Sequence, residues 1–260
     1  MDVAAYLRRL RYTGTIEPTL SSLRSLHRRH MEVVPFENLD IALSRRIEID
    51  DEASVRKIVG GHRGGFCYEL NGAFAALLRA LGFEVTLLSA RVARKNGGEG
   101  PEFDHLALRV DLDDPWLADV GFGDSFAEPL RLQPDLEQRQ DVGTFRISQA
   151  TQSLALERRQ ADDSWRPEYS FTLAPRQIGD FADRCHFHQT SPESSFTQKR
   201  ICSRLTPDGR ITLSELNLIV TNQEHREERT LGSEQEWRSA LRQYFEIVSS
   251  GNPDARVGMH

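Results

Sequence analysis

Apolar residues recur every three or four positions through the first third of the chain, and in short alternating runs through much of the rest. Val3, Tyr6, Leu7 and Leu10 fall on one face of a short helix over 2–10, which Thr13-Gly14 ends. Pro18-Thr19 opens a second helix with Leu20, Leu23 and Leu26 or His27 turned inward. Pro35 breaks that pattern, and Pro35-Phe36-Glu37-Asn38-Leu39-Asp40 predicts a structured turn. A third short helix is expected over 51–59, capped by Asp50 or Asp51, with Val55, Ile58 and Val59 apolar. Leu70, Phe74, Leu77, Leu78 and Leu81 predict an amphipathic helix over 67–81, and Gly82 supplies its stop.

At Phe83 the texture changes. Runs rich in β-formers at 84–93, 105–112 and 116–120 are separated by Asn96-Gly97-Gly98 and Asp113-Asp114-Pro115. Further strands are expected at 144–150, 153–159 and 169–173, and a weak helix at 176–185. Such spacing predicts an antiparallel sheet or small barrel. Strands near 199–206, 210–214, 216–221 and 226–231 follow, with Pro207-Asp208-Gly209 as a hairpin turn. Ser233 caps a last helix carrying Trp237, Leu241, Tyr244 and Phe245, and a frayed tail is expected after Ser249. The order is helices, then barrel, then a small α/β unit. No internal repeat or low-complexity stretch interrupts it.

Composition narrows the function classes. The 260 residues are 38% hydrophobic and 28% charged, ordinary values for a soluble globular chain. A formal net charge of −6 argues against non-specific nucleic-acid binding; Arg8-Arg9 and His27-Arg28-Arg29-His30 read as solvated helix faces. Three cysteines make no disulfide framework, and the charged N-terminus carries no apolar leader. No apolar run is long enough to span a membrane. The expectation is a cytoplasmic protein.

Candidate chemistry begins at Arg63-Gly64-Gly65-Phe66-Cys67, where a glycine turn runs into the predicted helix. Cys67 would sit in the first helical turn, where free N–H groups and the helix dipole favour a thiolate. A thiol nucleophile needs a base, and strand alternation offers one. In Asp104-His105-Leu106-Ala107-Leu108-Arg109-Val110, His105 lies on the face opposite Leu106, Leu108 and Val110. A hairpin centred on residue 112 sets His105 opposite Asp119, although Asp113-Asp114-Pro115 favours a centre nearer 113–114. Each residue alone has a plainer reading: a buried structural thiol, a sheet histidine, a strand-end carboxylate. Spacing by itself does not bring Cys67 to the other two.

Gly121-Phe122-Gly123 follows Asp119-Val120, and two glycines around an aromatic allow close backbone approach to a ligand, with amides open to phosphate oxygens. A lone Gly-x-Gly more often marks a turn. No phosphate-binding loop or dinucleotide fingerprint is present. Cys185-His186-x-His188 with Cys202 beyond could suggest zinc, but the spacing fits none of the common ligand patterns, and 186 and 188 would share a strand face. No metal is expected.

Taken together, these stretches resemble the arylamine N-acetyltransferases. The resemblance rests on Pro35-Phe36-Glu37-Asn38-Leu39, on Arg63-Gly64-Gly65-Phe66-Cys67-Tyr68-Glu69-Leu70-Asn71, on the His105 strand, on Asp119-Val120-Gly121-Phe122-Gly123 and on Ser191-Pro192-Glu193-Ser194-Ser195-Phe196, in family order. It implies an α+β fold in three parts: a helical bundle (1–83), an antiparallel β-barrel (84–196) and an α/β lid (197–260). The core would be similar to those of papain-like enzymes and transglutaminases. It further implies a Cys67-His105-Asp119 triad that relays acetyl from acetyl-CoA, through an acetyl-Cys67, to an arylamine, arylhydrazine or N-arylhydroxylamine. Acetyl-CoA would be a cosubstrate, with no tightly bound cofactor. Backbone N–H groups of Cys67 and Tyr68 would face the oxyanion. Phe36, Phe66 and Tyr68 would contact the aromatic substrate, and Gly121, Phe122 and Gly123 would approach CoA. Asp104, before the base, departs from the small or neutral residue that the pattern implies. The long insert of vertebrate members between barrel and lid is missing.

Three other readings stand beside this one. The same scaffold could carry another acyl group or close an amide on a polyketide. The same triad could hydrolyse, with water as acceptor. A non-catalytic binding protein is the third, and it has no need of a complete triad. The physiological amine and the oligomeric state are not readable from the chain.

Overall fold

Helix caps and chain breakers place the elements of the first third much where the spacing predicts them. The computed structural model describes residues 1–95, 97–150, 153–222 and 225–248. Asn96 of the expected turn and the tail after Ser249 lie outside the described residues. Helix α1 (Val3–Arg9) is capped by Asp2 and α2 (Leu20–Val33) by Thr19, whose side chains accept from Ala5 and Ser22 N–H. The segment after Pro35, expected as a turn, holds a two-residue strand β1 (Phe36–Glu37) and one helical turn α3 (Leu39–Ala42). Helix α4 (Asp51–Val55), capped by Asp50, widens into a π turn over Arg56–Gly60.

Helix α5 (Cys67–Ala80) differs from the amphipathic helix that its leucines predict. Its residues from Cys67 to Ala75 are all buried, so it runs through the core with only Ala76 partly open before Arg79. Gly72, Ala73 and Ala75 let neighbours close on its second side. Gly82, in the left-handed region with φ +89°, ends it.

The middle of the chain forms an antiparallel sheet of eight strands in the order β5-β4-β3-β2-β9-β8-β7-β6. These are β2 (Glu84–Val92), β3 (His105–Asp111), β4 (Pro115–Ala118), β5 (Leu130–Arg131), β6 (Gln138–Gln140), β7 (Gly143–Gln149), β8 (Leu154–Arg159) and β9 (Trp165–Phe171). The sheet curls almost shut, and two glutamine side chains from β6 bridge the open seam. Gln138 accepts from Arg131 N–H at 2.7 Å and donates to Arg131 O at 3.1 Å. Gln140 accepts from the Ala127 and Glu128 amides and donates to Glu128 O. These side-chain amides stand in for a missing backbone ladder.

Strand β9 starts earlier than the sequence pattern indicates, because Pro167 and Glu168 sit at a register shift opposite Glu157. The weak helix expected at 176–185 is a 3₁₀ turn (Ile178–Phe181) leading into α6 (Ala182–Thr190), with α7 (Ser195–Gln198) after it. Strands β10 (Ile201–Thr206), β11 (Gly209–Ser214), β12 (Asn217–Asn222) and β13 (His225–Thr230) form the lid sheet, and α8 (Glu234–Phe245) follows its Ser233 cap. Trp237, Leu241 and Phe245 of α8 pack on Cys202, Leu213 and Leu218.

The fold is therefore α+β, with helices, a nearly closed barrel and a second sheet. The parts are stitched rather than merely adjacent. Strand β1 pairs with β10, so the lid sheet begins in the first third of the chain. The buried Asn38 side chain donates to Phe196 O and Lys199 O and accepts from Ile201 N–H.

One close approach sets up the start of α5. A Cβ on Gly64 would lie 1.8 Å from the Pro35 carbonyl oxygen, a backbone atom that cannot swing aside. Gly64→Ala should cost about 2–4 kcal/mol in urea unfolding. A variant unfolding at the wild-type midpoint would show that the turn has slack.

Candidate active site

The glycine turn before Cys67 is bedded on buried charge. Gly65 bridges Phe36: its N–H donates to Pro35 O at 3.3 Å, and its carbonyl accepts from Glu37 N–H at 2.8 Å. Glu37 is fully buried, receives Arg63 at 2.8 Å and accepts Leu39 N–H. Lys57 lies 2.8 Å from Asp40 and 2.7 Å from Glu69. Glu69 also reaches back to Phe66 N–H at 3.2 Å, the return half of a capping box whose first half a phenylalanine cannot supply. Burial pushes the Glu69 carboxyl up to about 7, with Lys57 opposing. Burial also penalises Asp40, but Lys57 and Arg63 outweigh it and hold that carboxyl below its usual range.

Cys67 is the first residue of α5 and 4% exposed. Burial pushes its thiol well above the ordinary range, the Leu106 N–H facing the sulfur pulls it back, and Asp119 and Asp104 add to the rise. The sequence expectation of a thiolate favoured by the helix start thus meets a larger opposing effect, and the sulfur needs a base to take its proton.

The candidate base has a fixed tautomer. His105 Nε2 donates to Asp119 Oδ2 at 2.7 Å, which leaves Nδ1 as the lone-pair nitrogen. Tyr169 O–H donates to the same carboxylate oxygen at 3.0 Å. Asp119 Oδ1 accepts from Asn71 Nδ2 at 2.8 Å and Gly121 N–H at 3.0 Å. Burial raises the Asp119 carboxyl, but His105 and these donors outweigh it and hold it below the usual range.

The hairpin register differs from the one that puts His105 directly opposite Asp119. Leu108 faces Ala118, a ladder centred on residue 113, and it stops there. Asp119 therefore meets His105 diagonally, from just past the end of β4. Beyond the ladder the Leu106 peptide is used by α5. Its N–H faces the Cys67 sulfur, and its carbonyl accepts from Asn71 Nδ2 at 2.6 Å. Asn71 Oδ1 also accepts Val120 N–H at 2.9 Å. One helical turn past Cys67, Asn71 thus clamps α5 to strand β3, which carries His105, and to the segment after β4 that carries Asp119.

Gly121 packs against Cys67 itself; an added Cβ would lie 2.8 Å from Cys67 Cα. Its amide is already taken by Asp119, so it is not open to a phosphate oxygen. The Phe122 ring stands edge-on to His105, centroids 5.2 Å apart. Gly123 has φ +95° and lies beneath the Phe36 ring.

Of the three aromatic contact candidates, Phe36 is half-buried, whereas Phe66 and Tyr68 are in the core. Phe66 packs edge-on to Tyr68 and Phe196, and Tyr68 O–H donates to Phe103 O at 2.8 Å. Asp104 is met by Arg184, Nε to Oδ1 2.7 Å, and lies 3.2 Å from His188 Nε2, which holds its carboxyl low despite burial. Cys185, His186 and His188 lie on α6 rather than a strand, and Cys202 is in the separate lid core. Among the described residues no group of three or more histidine, cysteine or acidic side chains is set to hold a metal ion. No described helix is long and apolar enough to cross a membrane.

Sequence reasoning passed over His27, Asn71 and Tyr169 as site residues. Asn71 lies inside the cysteine block, one helical turn after Cys67, which is the signal that could have found it. His27 Nε2 accepts Asp119 N–H at 3.0 Å while Nδ1 meets Ala127 O at 2.8 Å, the pattern of a neutral ring.

Comparison with known proteins places this chain among relatives. A family profile described as N-acetyltransferase matches residues 19–252. An arylamine N-acetyltransferase / N-hydroxyarylamine O-acetyltransferase from Salmonella typhimurium is 36% identical over 85% of this chain and 79% of its own length. The proansamycin X synthase of Amycolatopsis mediterranei is 30% identical over 92% of this chain and 95% of its own. The solved structure of the Mycobacterium marinum arylamine N-acetyltransferase in complex with CoA superposes with a TM-score of 0.88 at 30% identity, covering 95% of this chain and 93% of that one.

The buried histidines behind the site make stability depend on pH. Burial lowers His27 from 6.5 to about 4, and burial with the neighbouring His27 and Arg9 charges lowers His30 well below its ordinary value. The unfolded chain takes up these protons below pH 6.5 and the folded protein does not, so their contribution is whole above that pH. It should fall by up to ~1.4 kcal/mol per pH unit for each ring as pH drops toward 4. The Glu69 carboxyl, raised to about 7, works the other way below that pH, so the two rings act against one carboxyl. Urea midpoints of Glu69→Gln at pH 7.5 and 5 isolate the histidines; equal midpoints would sink their contribution.

Proposed function

The chain belongs to the arylamine N-acetyltransferase family, and from that premise we propose that it carries acetyl from acetyl-CoA to aromatic amines through a thioester on Cys67. The observation that carries this reading is the buried Asp119–His105 pair tied by Asn71 to the helix that Cys67 begins. In the first half-reaction His105 Nδ1 takes the Cys67 proton as the sulfur attacks the thioester carbonyl. The carbonyl oxygen gathers negative charge, and N–H groups of the first turn of α5, Cys67 and Tyr68 among them, are the donors at hand. CoA leaves as a thiolate and takes the proton back from the imidazolium. Asp119 holds the ring in one tautomer and stabilises its cation throughout.

In the second half-reaction the amine attacks the acetyl-Cys67 carbonyl, His105 takes its proton, and the cysteine leaves as a thiolate that takes that proton back from the imidazolium. Arylamines are weak bases and stay unprotonated near neutral pH, so they are nucleophilic where a lysine amine is masked as ammonium. Arylhydrazines and N-arylhydroxylamines share that property. The half-exposed Phe36 beside Gly123 and the Phe122 ring beside His105 are the aromatic surfaces for such an acceptor. Gly121 and Phe122, so near the sulfur and the base, suit the thioester end of the donor better than its phosphates.

A second reading, in which a larger acyl group replaces acetyl or an amide is closed, has one observation in its favour. It is the similarity to a synthase whose name specifies no acetyl transfer. Donor comparison separates the two.

Intact-mass measurement after acetyl-CoA alone should show one adduct of about 42 Da, absent from Cys67→Ala and discharged by an arylamine. An adduct with a different acyl thioester but none with acetyl-CoA would favour the second reading, and no adduct from any thioester would remove both. Asp119→Asn should lower acetylation of the cysteine by about 10³–10⁴-fold by freeing the wrong tautomer. A loss of less than tenfold would leave Asp119 without the orienting role.

A further inference from the structure

Past Gly123 the barrel and the lid sheet meet across a charged seam. Asp124 carries its side chain 66% exposed. Arg158 reaches it from β8 with Nη1 at 3.4 Å, and Arg210 reaches it from β11 with Nε at 3.3 Å. Two guanidinium groups from different parts of the fold thus share one solvent-facing carboxylate.

The pair is held in place yet under-satisfied. Arg158 Nη2 is anchored on Val142 O at 2.8 Å. Arg210 is only 13% exposed, and its Nη1 lies 3.3 Å from Ser203 Oγ. Its buried Nη2 has no hydrogen-bond partner among the described residues. Burial and the Arg158 charge both pull Arg210 below the ordinary arginine range, with Asp124 opposing. A buried donor without an acceptor is costly, and a second cation beside it adds to the cost.

The position connects this pair to the candidate site. Gly121 lies on Cys67, Gly123 under Phe36, and Asp124 is the next residue. Phe36 pairs with Ser203 in the lid sheet, and Ser203 Oγ meets Thr212 Oγ1 at 2.7 Å beside Arg210. A polar strip therefore runs from Phe36 outward to the two arginines, within about 10 Å of chain from Gly121 to Asp124.

We propose that Arg158 and Arg210 form a phosphate cradle for the nucleotide end of the acyl donor, with Asp124 as the resting occupant that a phosphate displaces. The identity of the ligand rests on the acetyl-CoA reading above; the cradle itself rests on the two guanidinium groups. A phosphate oxygen set can accept from both forks and from the unused Arg210 Nη2, which one carboxylate at this distance does not. Asp124, being mostly exposed, returns to water at little cost.

Titration calorimetry with CoA, and separately with inorganic pyrophosphate, tests this on the full chain. Arg210→Met and Arg158→Gln should each weaken both ligands by about tenfold or more. Asp124→Asn should tighten both, a change of sign that lost structure cannot produce. Acylation by p-nitrophenyl acetate, which has no phosphate, should stay unchanged in all three variants, showing that Cys67 chemistry is intact. Pyrophosphate that binds wild type and not Arg210→Met, with CoA binding neither, upholds the cradle and removes CoA as its ligand. Equal affinities in wild type and both arginine variants, or no pyrophosphate binding to wild type, overturns the cradle whatever the donor proves to be.

Discussion

A single carboxylate organises the molecule. Asp119 is fully buried, and its two oxygens take four donors: His105 on β3, Tyr169 on β9, Asn71 on α5 and the amide of Gly121. Its own amide goes to His27 on α2. Burying a lone carboxylate costs several kcal/mol, and only a complete set of donors offsets that. Bundle and barrel must therefore approach in one way, since each supplies donors that the other lacks. The same requirement leaves His105 with one free nitrogen and brings Leu106, its neighbour in sequence, against the Cys67 sulfur.

The charge beneath the glycine turn serves geometry in a different manner. Glu37, Asp40 and Glu69 face Lys57 and Arg63, and while the two cations precede the turn that ends in Cys67, Glu69 follows it. Buried ion pairs seldom add much stability over apolar packing, but a broken one is expensive. Their effect is to penalise any other path of the chain through Gly64 and Gly65. With Pro35 O against Gly64 and Glu69 reaching back to Phe66, the first turn of α5 has little freedom. A nucleophile at the start of a helix is useful only when that start is immobile.

Much of this frame was readable from local pattern. Three-to-four spacing gave α1, α2 and α5 to within a residue or two, and strand alternation set His105 on the correct face of β3. What failed was non-local. Of the two hairpin centres, the ladder takes the one near 113 that Asp113-Asp114-Pro115 favours, but its end at Ala118, which sends Asp119 to His105 diagonally from a loop, has no local signal. Tyr169 and His27 stand fifty or more residues from Asp119, and no periodicity links them. The amphipathic reading of α5 underestimated its burial, since small residues on its second face do not register as apolar spacing. That burial also reverses the local argument for a thiolate at Cys67. Pro167 hid the start of β9, because a bulge tolerates what a regular ladder does not.

The rigid frame and the variable surface are carried by different residues, and this bears on how one core can serve relatives with different named products. Asp119, Asn71 and the Glu37–Lys57 network are enclosed and leave no room for substitution without an unpaired buried group. Phe36, Phe122 and Asp124 lie where the three parts meet and are at least partly open. Phe36 has a special place among them: through β1 it belongs to the lid sheet, while its neighbour Gly65 belongs to the turn before Cys67. A shift of the lid sheet would therefore move an aromatic wall relative to a fixed sulfur. Side chains at such a junction can change while the hydrogen bonds that join Asp119 to His105 and Asn71 stay as they are.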